Sequence, residues 1–344
     1  MNSIPYPFRR AFLAAGIAAL SAGASATAED APYKIVKSAQ SIGTGRIDYV
    51  FADSDNRRLY VPRGGQVMVF DLDTLESAGA IPNAQAHGVT VDPKSNHGFS
   101  SSNPVVMWDA KTLQTIKTIP VQGGPDAISF EPLTEHVYVM SHREPNVTVL
   151  DGKDGSIVGT IDLGGEPEQA VSDGQGHIYI NVENKSTVAV VDVKTLKVTA
   201  RYDLGKGEPA GLGLDAKNRL IFAFCQKPSN CYVLNADDGK ILATLPIGNG
   251  NDSACFNPNT LEAFGSQGDG TLAVIKENSP TSFAVSQTVQ TKSRAKTCTL
   301  DTKKDQVVLI TTEPAPGGAP AAGQGADRPH DASNQLDILV VGRP

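Results

Sequence analysis

Several common functional signatures are missing from this sequence. None of the four cysteines forms a CxxC or CxxCH motif, which argues against a zinc knuckle and against covalently attached c-type haem. There is no GxSxG motif for a nucleophilic serine and no HxH or HExxH pair of metal ligands. The net charge of −7 argues against a nucleic-acid backbone as the main partner, because phosphate binding needs a positive surface. The sequence therefore leaves an enzymatic role uncertain and does not favour one.

Aromatic residues are also scarce, whereas glycine and proline are common. Aromatic side chains make up 6% of the 344 residues, and the chain contains 33 glycines and 22 prolines. The apolar fraction of 40% is ordinary for a globular protein. This composition is typical of many short strands that are joined by tight turns.

Residues 1–28 have the features of an export signal. Arg9 and Arg10 precede a small-residue apolar segment over 11–22, and residues 26–28 fit an A-x-A cleavage site. Because the apolar segment is too short to cross a bilayer, we expect no membrane span. Residues 9–13, RRAFL, also resemble the twin-arginine export motif, so an ordinary secretory signal and a twin-arginine signal are both open. Either signal predicts a periplasmic or secreted protein that is cleaved near Ala28.

The remaining chain, residues 29–344, contains a long-period repeat. Seven short apolar segments each end before an acidic or turn-forming residue, and these residues are spaced 39 to 44 apart. The seven turn residues are Asp53, Asp92, Glu131, Asp173, Asp215, Asn257 and Asp301. A second series follows the third strand of successive units, at Asp71, Asp109, Asp151, Asp192 and Asn235. Such side chains accept hydrogen bonds from amides two residues further on, and so they favour turns.

This repeat predicts an all-β fold, a seven-bladed β-propeller with four-stranded blades. A period near forty residues with four β segments per unit is typical of propeller blades, and the apolar residues show no helical spacing. Residues 33–42 resemble a fourth strand without its first three, and the last unit, which ends at Pro344, lacks a fourth strand. We therefore expect the N-terminal strand to complete the last blade and close the ring. The result is a single domain, which we expect to be a monomer.

One segment interrupts the repeat within the last unit. It begins at Glu313, reads EPAPGGAPAAGQGADRPHDASN, and is rich in proline, glycine and alanine without apolar periodicity. We predict a flexible loop insert over residues 313–335, between two strands of the last blade.

The third and fourth units resemble a known propeller family. YVMSHREPNVTVLD (138–151) and YINVENKSTVAVVD (179–192) are similar to the signature of the YVTN-repeat (YncE-like) propellers. GGPDAISFEP (123–132) and GEPEQAVSDG (165–174) are similar to the G-x-x-P opening of that family's innermost strand. Other units match less well, since VPRGGQVMVFD (61–71) lacks the loop asparagine. The resemblance implies a seven-bladed, commonly exported protein and little about function, although some relatives bind single-stranded DNA.

The propeller geometry groups polar residues from distant parts of the sequence. Loops that lead into the innermost strands and loops between second and third strands lie on one face, around the mouth of the central channel. Polar side chains at these positions are therefore candidates for binding a ligand. They are Arg46, Asp48, His87, Asp126, His142, Arg143, Glu168, Glu183 and Asp252.

A divalent metal at the channel mouth is one interpretation of this set. The candidate ligands are His87, Asp126, Glu168 and Glu183. Carboxylate oxygens suit calcium, whereas the histidine would favour zinc or copper. A metal there can polarise an ester or lactone carbonyl, or activate a water. The competing interpretation is that polar side chains at a channel mouth are simply solvated.

The cysteines fall into two pairs. Cys225 and Cys231 flank the five-residue loop QKPSN, and hairpin geometry in an exported protein predicts a disulfide between them. Cys255 and Cys298 lie in the innermost strands of units six and seven, offset by one residue, so we expect them to point in different directions. For this second pair, two free thiols and one strained bridge are both open, and copper binding is a lesser alternative.

These observations favour a binding or scaffold module that uses the channel-mouth face. The ligand we expect is a protein, a peptide or a cell-envelope component. The first alternative is a metal-dependent hydrolase of lactones or esters on the same face. The second is an accessory subunit of an exported redox system, which the twin-arginine resemblance alone supports.

Overall fold

The computed structural model describes Met1 and residues 31–82, 84–314 and 333–344. These residues form 28 strands in seven four-stranded antiparallel sheets, together with one 3-10 helix at Glu183–Lys185. Apart from Met1, the predicted export signal lies outside the described residues. Within the described ranges, no helix has the length and apolar character needed to cross a membrane.

The first four blades follow one another along the chain. Blade 1 contains β2 (Phe51–Asp53), β3 (Arg58–Arg63), β4 (Gln66–Asp71) and β5 (Ser77–Pro82). Blade 2 contains β6 (Val89–Asp92), β7 (His97–Ser100), β8 (Val105–Asp109) and β9 (Thr115–Ile119). Blade 3 contains β10 (Pro125–Glu131), β11 (His136–Ser141), β12 (Val147–Asp151) and β13 (Ile157–Ile161). Blade 4 contains β14 (Pro167–Ser172), β15 (His177–Val182), β16 (Thr187–Asp192) and β17 (Lys197–Asp203).

The last three blades continue the same pattern, and the final one combines both ends of the described chain. Blade 5 contains β18 (Pro209–Asp215), β19 (Leu220–Cys225), β20 (Asn230–Asn235) and β21 (Ile241–Pro246). Blade 6 contains β22 (Asn251–Asn257), β23 (Glu262–Gln267), β24 (Thr271–Ser279) and β25 (Ser282–Gln290). Blade 7 contains β26 (Thr297–Asp301), β27 (Gln306–Pro314), β28 (Ser333–Gly342) and β1 (Lys34–Thr44).

The predicted ring closure is confirmed. In blade 7 the strand order is β1-β28-β27-β26, and β1 runs antiparallel to β28 from Lys34↔Gly342 to Thr44↔Ser333. The innermost strands of blades 7 and 1 are also joined directly, because Thr299 Oγ1 accepts a hydrogen bond from Ala52 N at 3.1 Å. The fold is therefore the predicted seven-bladed propeller.

The repeated acidic residues act through local turns, as their spacing predicts. In the first series, Asp53 Oδ1 accepts a hydrogen bond from Asn56 N at 3.0 Å, and Asp92 Oδ1 accepts one from Lys94 N at 2.8 Å. In the second series, Asp71 Oδ1 accepts a hydrogen bond from Thr74 N at 2.7 Å. In each case the carboxylate accepts a hydrogen bond from a backbone amide in the turn, where no neighbouring strand can accept it. These bonds stabilise the turns and thereby determine where the strands end.

The hydrophobic core is divided between the blades. Seven buried apolar clusters are present among the described residues, and each lies between two neighbouring blades. The cluster between blades 7 and 1 combines Leu59 and Val61 with Ile310, Leu336 and Ile338. Because every blade buries both of its faces against neighbours, the apolar residues in its middle strands run consecutively instead of alternating.

The predicted insert in blade 7 is shorter than residues 313–335. Strands β27 and β28 extend into it, and their ladder continues to the pairs Glu313↔Gln335 and Pro314↔Asn334. The strand pairing continues because antiparallel neighbours satisfy one another's backbone groups even where the sequence lacks apolar alternation. The rest of the predicted insert, residues 315–332, lies outside the described residues.

Candidate functional site

One end of the central channel widens into a polar depression of about 500 Å³. We call it the rim depression. The residues that line it are Asp48, Tyr49, His87, Gly124, Pro125, Asp126, His142, Arg143, Glu168, Asp252 and Lys296. They belong to six blades, because equivalent positions in successive blades face the same central axis.

The functional side chains of the depression come from three kinds of position in the blades. Asp48, His87 and Lys296 lie in loops just before the innermost strands β2, β6 and β26. The carboxylates Asp126, Glu168 and Asp252 occupy the second positions of β10, β14 and β22, and His142 lies in the loop between β11 and β12.

Hydrogen bonds within blade 3 hold the loop that carries His142. Ser141 Oγ accepts from Gly124 N at 2.7 Å and donates to Arg143 O at 2.7 Å. At the other end of the loop, Asn146 Oδ1 accepts from Leu163 N at 3.0 Å. The loop is thereby tied to both the innermost and the outermost strand connections of its blade, which fixes the direction of the imidazole.

Two histidines and three carboxylates alternate along one side of the depression. We call Asp48, His87, Asp126, His142 and Glu168 the rim cluster. His87 Nδ1 lies 2.7 Å from Asp48 Oδ2 and 3.2 Å from Asp126 Oδ1. His142 Nε2 lies 3.1 Å from Asp126 Oδ2 and 3.1 Å from Glu168 Oε1. Asp126 is therefore shared by both histidines.

The rim cluster is supported by a half-buried tyrosine and flanked by an ion pair. The Tyr49 hydroxyl donates to Glu168 Oε2 at 2.9 Å, so Glu168 uses one oxygen for Tyr49 and the other for His142. Across the depression, Lys296 Nζ lies 2.6 Å from Asp252 Oδ2. The depression thus contains acidic, basic and imidazole groups within one concave surface.

The carboxylates strongly affect the ionisation of the other groups. Hydrogen bonds to Asp126 and Glu168 raise the pKa of His142 to about 10, and the hydrogen bond to Asp48 raises the pKa of His87 against the effect of burial. Burial, only partly offset by Lys296, raises the pKa of Asp252 to about 6. Burial and the charge of Glu168 keep Tyr49 protonated by raising its pKa well above the ordinary value. A neutral solution therefore leaves His142 cationic between two carboxylates.

The rim cluster contains two groups of atoms with the composition of metal sites. Asp48, His87 and Asp126 form one group, and Asp126, His142 and Glu168 form the other. In each group, one atom from each residue lies within 4.8 Å of the others. Each group offers one imidazole nitrogen and two carboxylate oxygens, a donor set that suits divalent transition metals.

Seven of the nine candidate binding residues line the rim depression. They are Asp48, His87, Asp126, His142, Arg143, Glu168 and Asp252. Arg46 lies two residues before Asp48 in the chain, and Glu183 begins the 3-10 helix in the loop after β15; neither belongs to the lining. Burial and the nearby Glu168 and Glu208 carboxylates raise the pKa of Glu183, and its side chain joins neither triad.

Sequence reasoning overlooked the role of Tyr49. The residue lies directly after Asp48, in the run that leads into β2, and its position was readable from the repeat. Its ring packs partly against the apolar cluster of blades 3 and 4. The hydroxyl nevertheless reaches across the channel to a carboxylate of blade 4, which no local pattern indicates.

The predicted disulfide between Cys225 and Cys231 is not formed. All four cysteines lie in the described part of the chain and are free thiols. The strand register pairs Cys231 with Phe224, so Cys225 is offset by one residue. Cys225 consequently packs between blades 4 and 5, and Cys231 packs between blades 5 and 6. Because successive side chains in a strand point to opposite faces, a one-residue offset separates the two sulfurs.

Cys255 and Cys298 come together, although we expected them to point in different directions. Both line a cavity of about 450 Å³ within the central channel. The adjacent innermost strands are joined here, since Cys298 N donates to Ser253 Oγ at 2.6 Å. A hydrogen bond between the two thiols raises the pKa of Cys255 and lowers that of Cys298. Both are free thiols, so the bridge that was also open for this pair is not formed.

Comparison with known proteins defines the fold and not the family. A scan against protein-family models matches no family, and no curated protein matches the chain. The crystal structure of RRP9 WD40 repeats is similar with a TM-score of 0.67 and 14% identity, over 87% of this chain and 97% of that chain. A chain of the mitotic checkpoint complex is similar with a TM-score of 0.70 and 11% identity, over 95% of this chain and 98% of that chain. Such neighbours are seven-bladed WD40 propellers, and at these identities the likeness extends to architecture alone.

Proposed function

We propose that this protein is a binding module that takes its ligand at the rim depression. The observation that carries the proposal is the convergence of the rim cluster, in which five ionisable side chains from four blades meet in one concavity. These side chains add nothing to the seven apolar clusters that hold the blades together. Ionisable groups that converge without a packing role are typical of binding sites.

We propose that the ligand is a protein or a peptide. A cell-envelope component is the alternative ligand class. A seven-bladed propeller offers a rigid, broad face with a central depression, and one of its structural neighbours is part of a multi-protein assembly, the mitotic checkpoint complex. The exposed Arg143 beside the acidic cluster gives this face both signs of charge, which favours a polar protein surface as the ligand.

We also propose that the protein belongs among the YVTN-repeat propellers and acts in the periplasm or outside the cell. The signature-like segments of units three and four support the first point. The arginine pair, apolar segment and A-x-A site within residues 1–28 support the second. Both points place the rim depression where it can meet other exported or envelope proteins.

The test compares partner capture by matched variants of the mature chain. The double variant His142→Ala, Arg143→Ala removes two exposed side chains of the rim depression. The control variant Lys94→Ala, Glu135→Ala removes an exposed ion pair. Both residues lie in turns that follow innermost strands, at the ends of those strands that are far from the rim depression. Proteins captured from an envelope extract are quantified by mass spectrometry, and melting temperatures are measured in parallel.

We expect the rim variant to lose at least one partner that the wild type and the control variant retain, while its melting temperature stays near that of the wild type. Equal capture by all three proteins would contradict the proposed function. If the rim variant loses its partner because it unfolds, His142 and Arg143 are structural residues and the binding role is likewise rejected.

Metal-dependent hydrolysis of an ester or lactone is the second candidate function. The two His/carboxylate triads favour it, because a cation held there would lie beside a depression with room for a small substrate. On the far side, the Asp252 carboxylate supplies a base and the Lys296 ammonium supplies a positive charge. Hydrolysis of aryl ester and lactone probes, with and without added zinc, tests this function against His142→Ala as the inactive control.

A further inference from the structure

Asp126 lies between the two histidines of the rim cluster and faces them with different oxygens. Its Oδ1 is 3.2 Å from His87 Nδ1, and its Oδ2 is 3.1 Å from His142 Nε2. Each histidine faces one further carboxylate, which is Asp48 for His87 and Glu168 for His142. The cluster is therefore built from two three-residue groups that share a single carboxylate.

The spacing of the donor atoms matches the needs of a small cation. Donors that bind one metal ion at about 2.0–2.2 Å must themselves lie roughly 3–4 Å apart. The nitrogen-to-oxygen distances in both groups run from 2.7 to 3.2 Å, and no donor is more than 4.8 Å from another in its group. The donors of each group are therefore close enough together to hold one cation, which would displace the proton that joins each imidazole to its carboxylates.

The burial of the donors and their outer partners also fits a metal site. The carboxylates of Asp126 and Glu168 are only 15% and 9% exposed, whereas the imidazoles of His87 and His142 are 54% and 41% exposed. The protein thus holds the carboxylates in place from below, and the depression gives access to the nitrogens. The second oxygen of Glu168 is fixed by the Tyr49 hydroxyl at 2.9 Å, which is the kind of outer hydrogen bond that orients metal ligands.

We propose that the rim cluster binds two divalent transition-metal cations of the zinc class, one in each triad, with Asp126 bridging them. The mixed nitrogen and oxygen donors select such cations over calcium, which prefers about six to eight oxygen ligands. This inference deepens the proposed function, and it relies on that proposal for the location of the ligand. The depression beside the triads leaves room for an oxygen donor of the partner to complete the coordination of either cation.

The test is a calorimetric titration of the untagged mature chain with zinc chloride after chelator treatment. Visible absorption of the cobalt-substituted protein provides a second readout. We expect two bound ions in the wild type, one in His87→Ala, one in His142→Ala and none in the double variant. Asp126→Asn is expected to bind both ions about tenfold more weakly or worse, because it removes the bridging charge. Calcium chloride is expected to give no comparable binding.

His97→Gln is the matched control, because His97 is the first residue of β7, at the end of blade 2 away from the rim depression, and belongs to neither triad. It should bind two ions like the wild type, and circular dichroism should show that all variants are folded. A wild-type stoichiometry of one or zero overturns the paired site. Zinc binding that survives in the double histidine variant overturns its location.

These results are distinguishable from failure of the binding role itself. If zinc fails to bind while the His142→Ala, Arg143→Ala variant still loses its partner, the metal site alone is rejected. If zinc binds with the expected pattern while the rim variant keeps every partner, the metal site stands and the proposed protein-binding role is rejected.

Discussion

At the scale of single residues, two buried carboxyl groups in blades 5 and 6 share one side-chain amide. Asn218 Nδ2 donates to Asp215 Oδ2 at 2.9 Å and to Glu277 Oε1 at 2.7 Å. Asp215 and Glu277 are 3% and 2% exposed. Burial and the hydrogen bond with Asp215 raise the pKa of Glu277 to about 7. The folded protein therefore holds a proton on this pair at a pH where an unfolded glutamate has lost it.

This proton makes the stability of the protein depend on pH in a defined direction. Since the folded pKa of Glu277 lies above its ordinary value of 4.5, Glu277 costs no stability at acidic pH and costs the most above pH 7. We expect Glu277→Gln to raise the free energy of unfolding above that of the wild type, and to do so by about 2 kcal/mol more at pH 8 than at pH 4.5. Denaturant unfolding at both pH values measures the difference. A change that is equal at the two pH values would contradict the shared proton.

The cysteines show where residue-scale reasoning from sequence fails. The sequence shows that Cys225 and Cys231 flank one loop between two strands. In the structure the strands end unevenly, because β19 ends at Cys225 whereas β20 begins at Asn230, one residue before Cys231. A register that differs by one residue moves a side chain to the opposite face of the sheet, and the sequence of a short loop does not determine that register. For Cys255 and Cys298, the pairing across blades depends on the stagger of two strands that are not hydrogen-bonded neighbours in one sheet.

At the scale of elements, the N-terminal strand is attached to its surroundings by a buried polar contact. Glu262 of β23 accepts a hydrogen bond from the Tyr33 hydroxyl at 2.7 Å and one from Arg343 Nη2 at 2.8 Å. The Arg343 guanidinium lies 4.4 Å from the centre of the Tyr33 ring. Gln287 adds two hydrogen bonds to the backbone of Tyr33. Tyr33, just before β1, and Arg343, just after β28, lie at the same end of this antiparallel pair, and the contact joins that end to blade 6.

We expect Glu262→Ala to destabilise the protein by about 2–3 kcal/mol, because it leaves a largely buried guanidinium and a buried phenol without their partner. Glu262→Gln keeps one acceptor oxygen for one of the two hydrogen bonds and should cost less than the alanine variant, about 1 kcal/mol. Urea unfolding measures both, with Glu135→Ala as a control at an exposed ion pair. If the alanine and glutamine variants cost the same small amount as the control, this contact does not contribute to closure of the ring.

The elements were predictable from the sequence because their signals are local. The turn residues Asp53 and Asp71 act on amides two or three positions away, so a single sequence reveals where strands end. The membership of the rim cluster was predictable for a different reason, since ring symmetry places equivalent loop positions together. The pairing within the cluster was not, because His87 and Asp126 belong to different blades and their contact depends on side-chain directions across a blade boundary.

At the scale of the whole molecule, the ring depends on a non-local pairing between its two ends. Strand β1 hydrogen-bonds to β28 along ten residue pairs, and Tyr33 and Ala39 pack against the clusters on either side of blade 7. Without β1, the edge of β28 would expose a row of unpaired backbone groups. Blade 7 would also lose its outermost strand, which packs against the apolar cluster that joins blade 7 to blade 1.

A chain that begins at Gly45 tests this dependence, because it lacks β1 but keeps every residue of the rim cluster. We expect its melting temperature to fall by about 10 °C or more, since loss of a paired strand removes several kcal/mol, and we expect it to self-associate through β28. A synthetic peptide of residues 31–44 should bind the truncated chain and restore the oligomeric state and melting temperature of the longer chain, whereas a peptide of the same composition in scrambled order should not. A truncated chain that stays monomeric with an unchanged melting temperature would show that blades 1 and 7 hold the ring together through their innermost strands and apolar cluster alone.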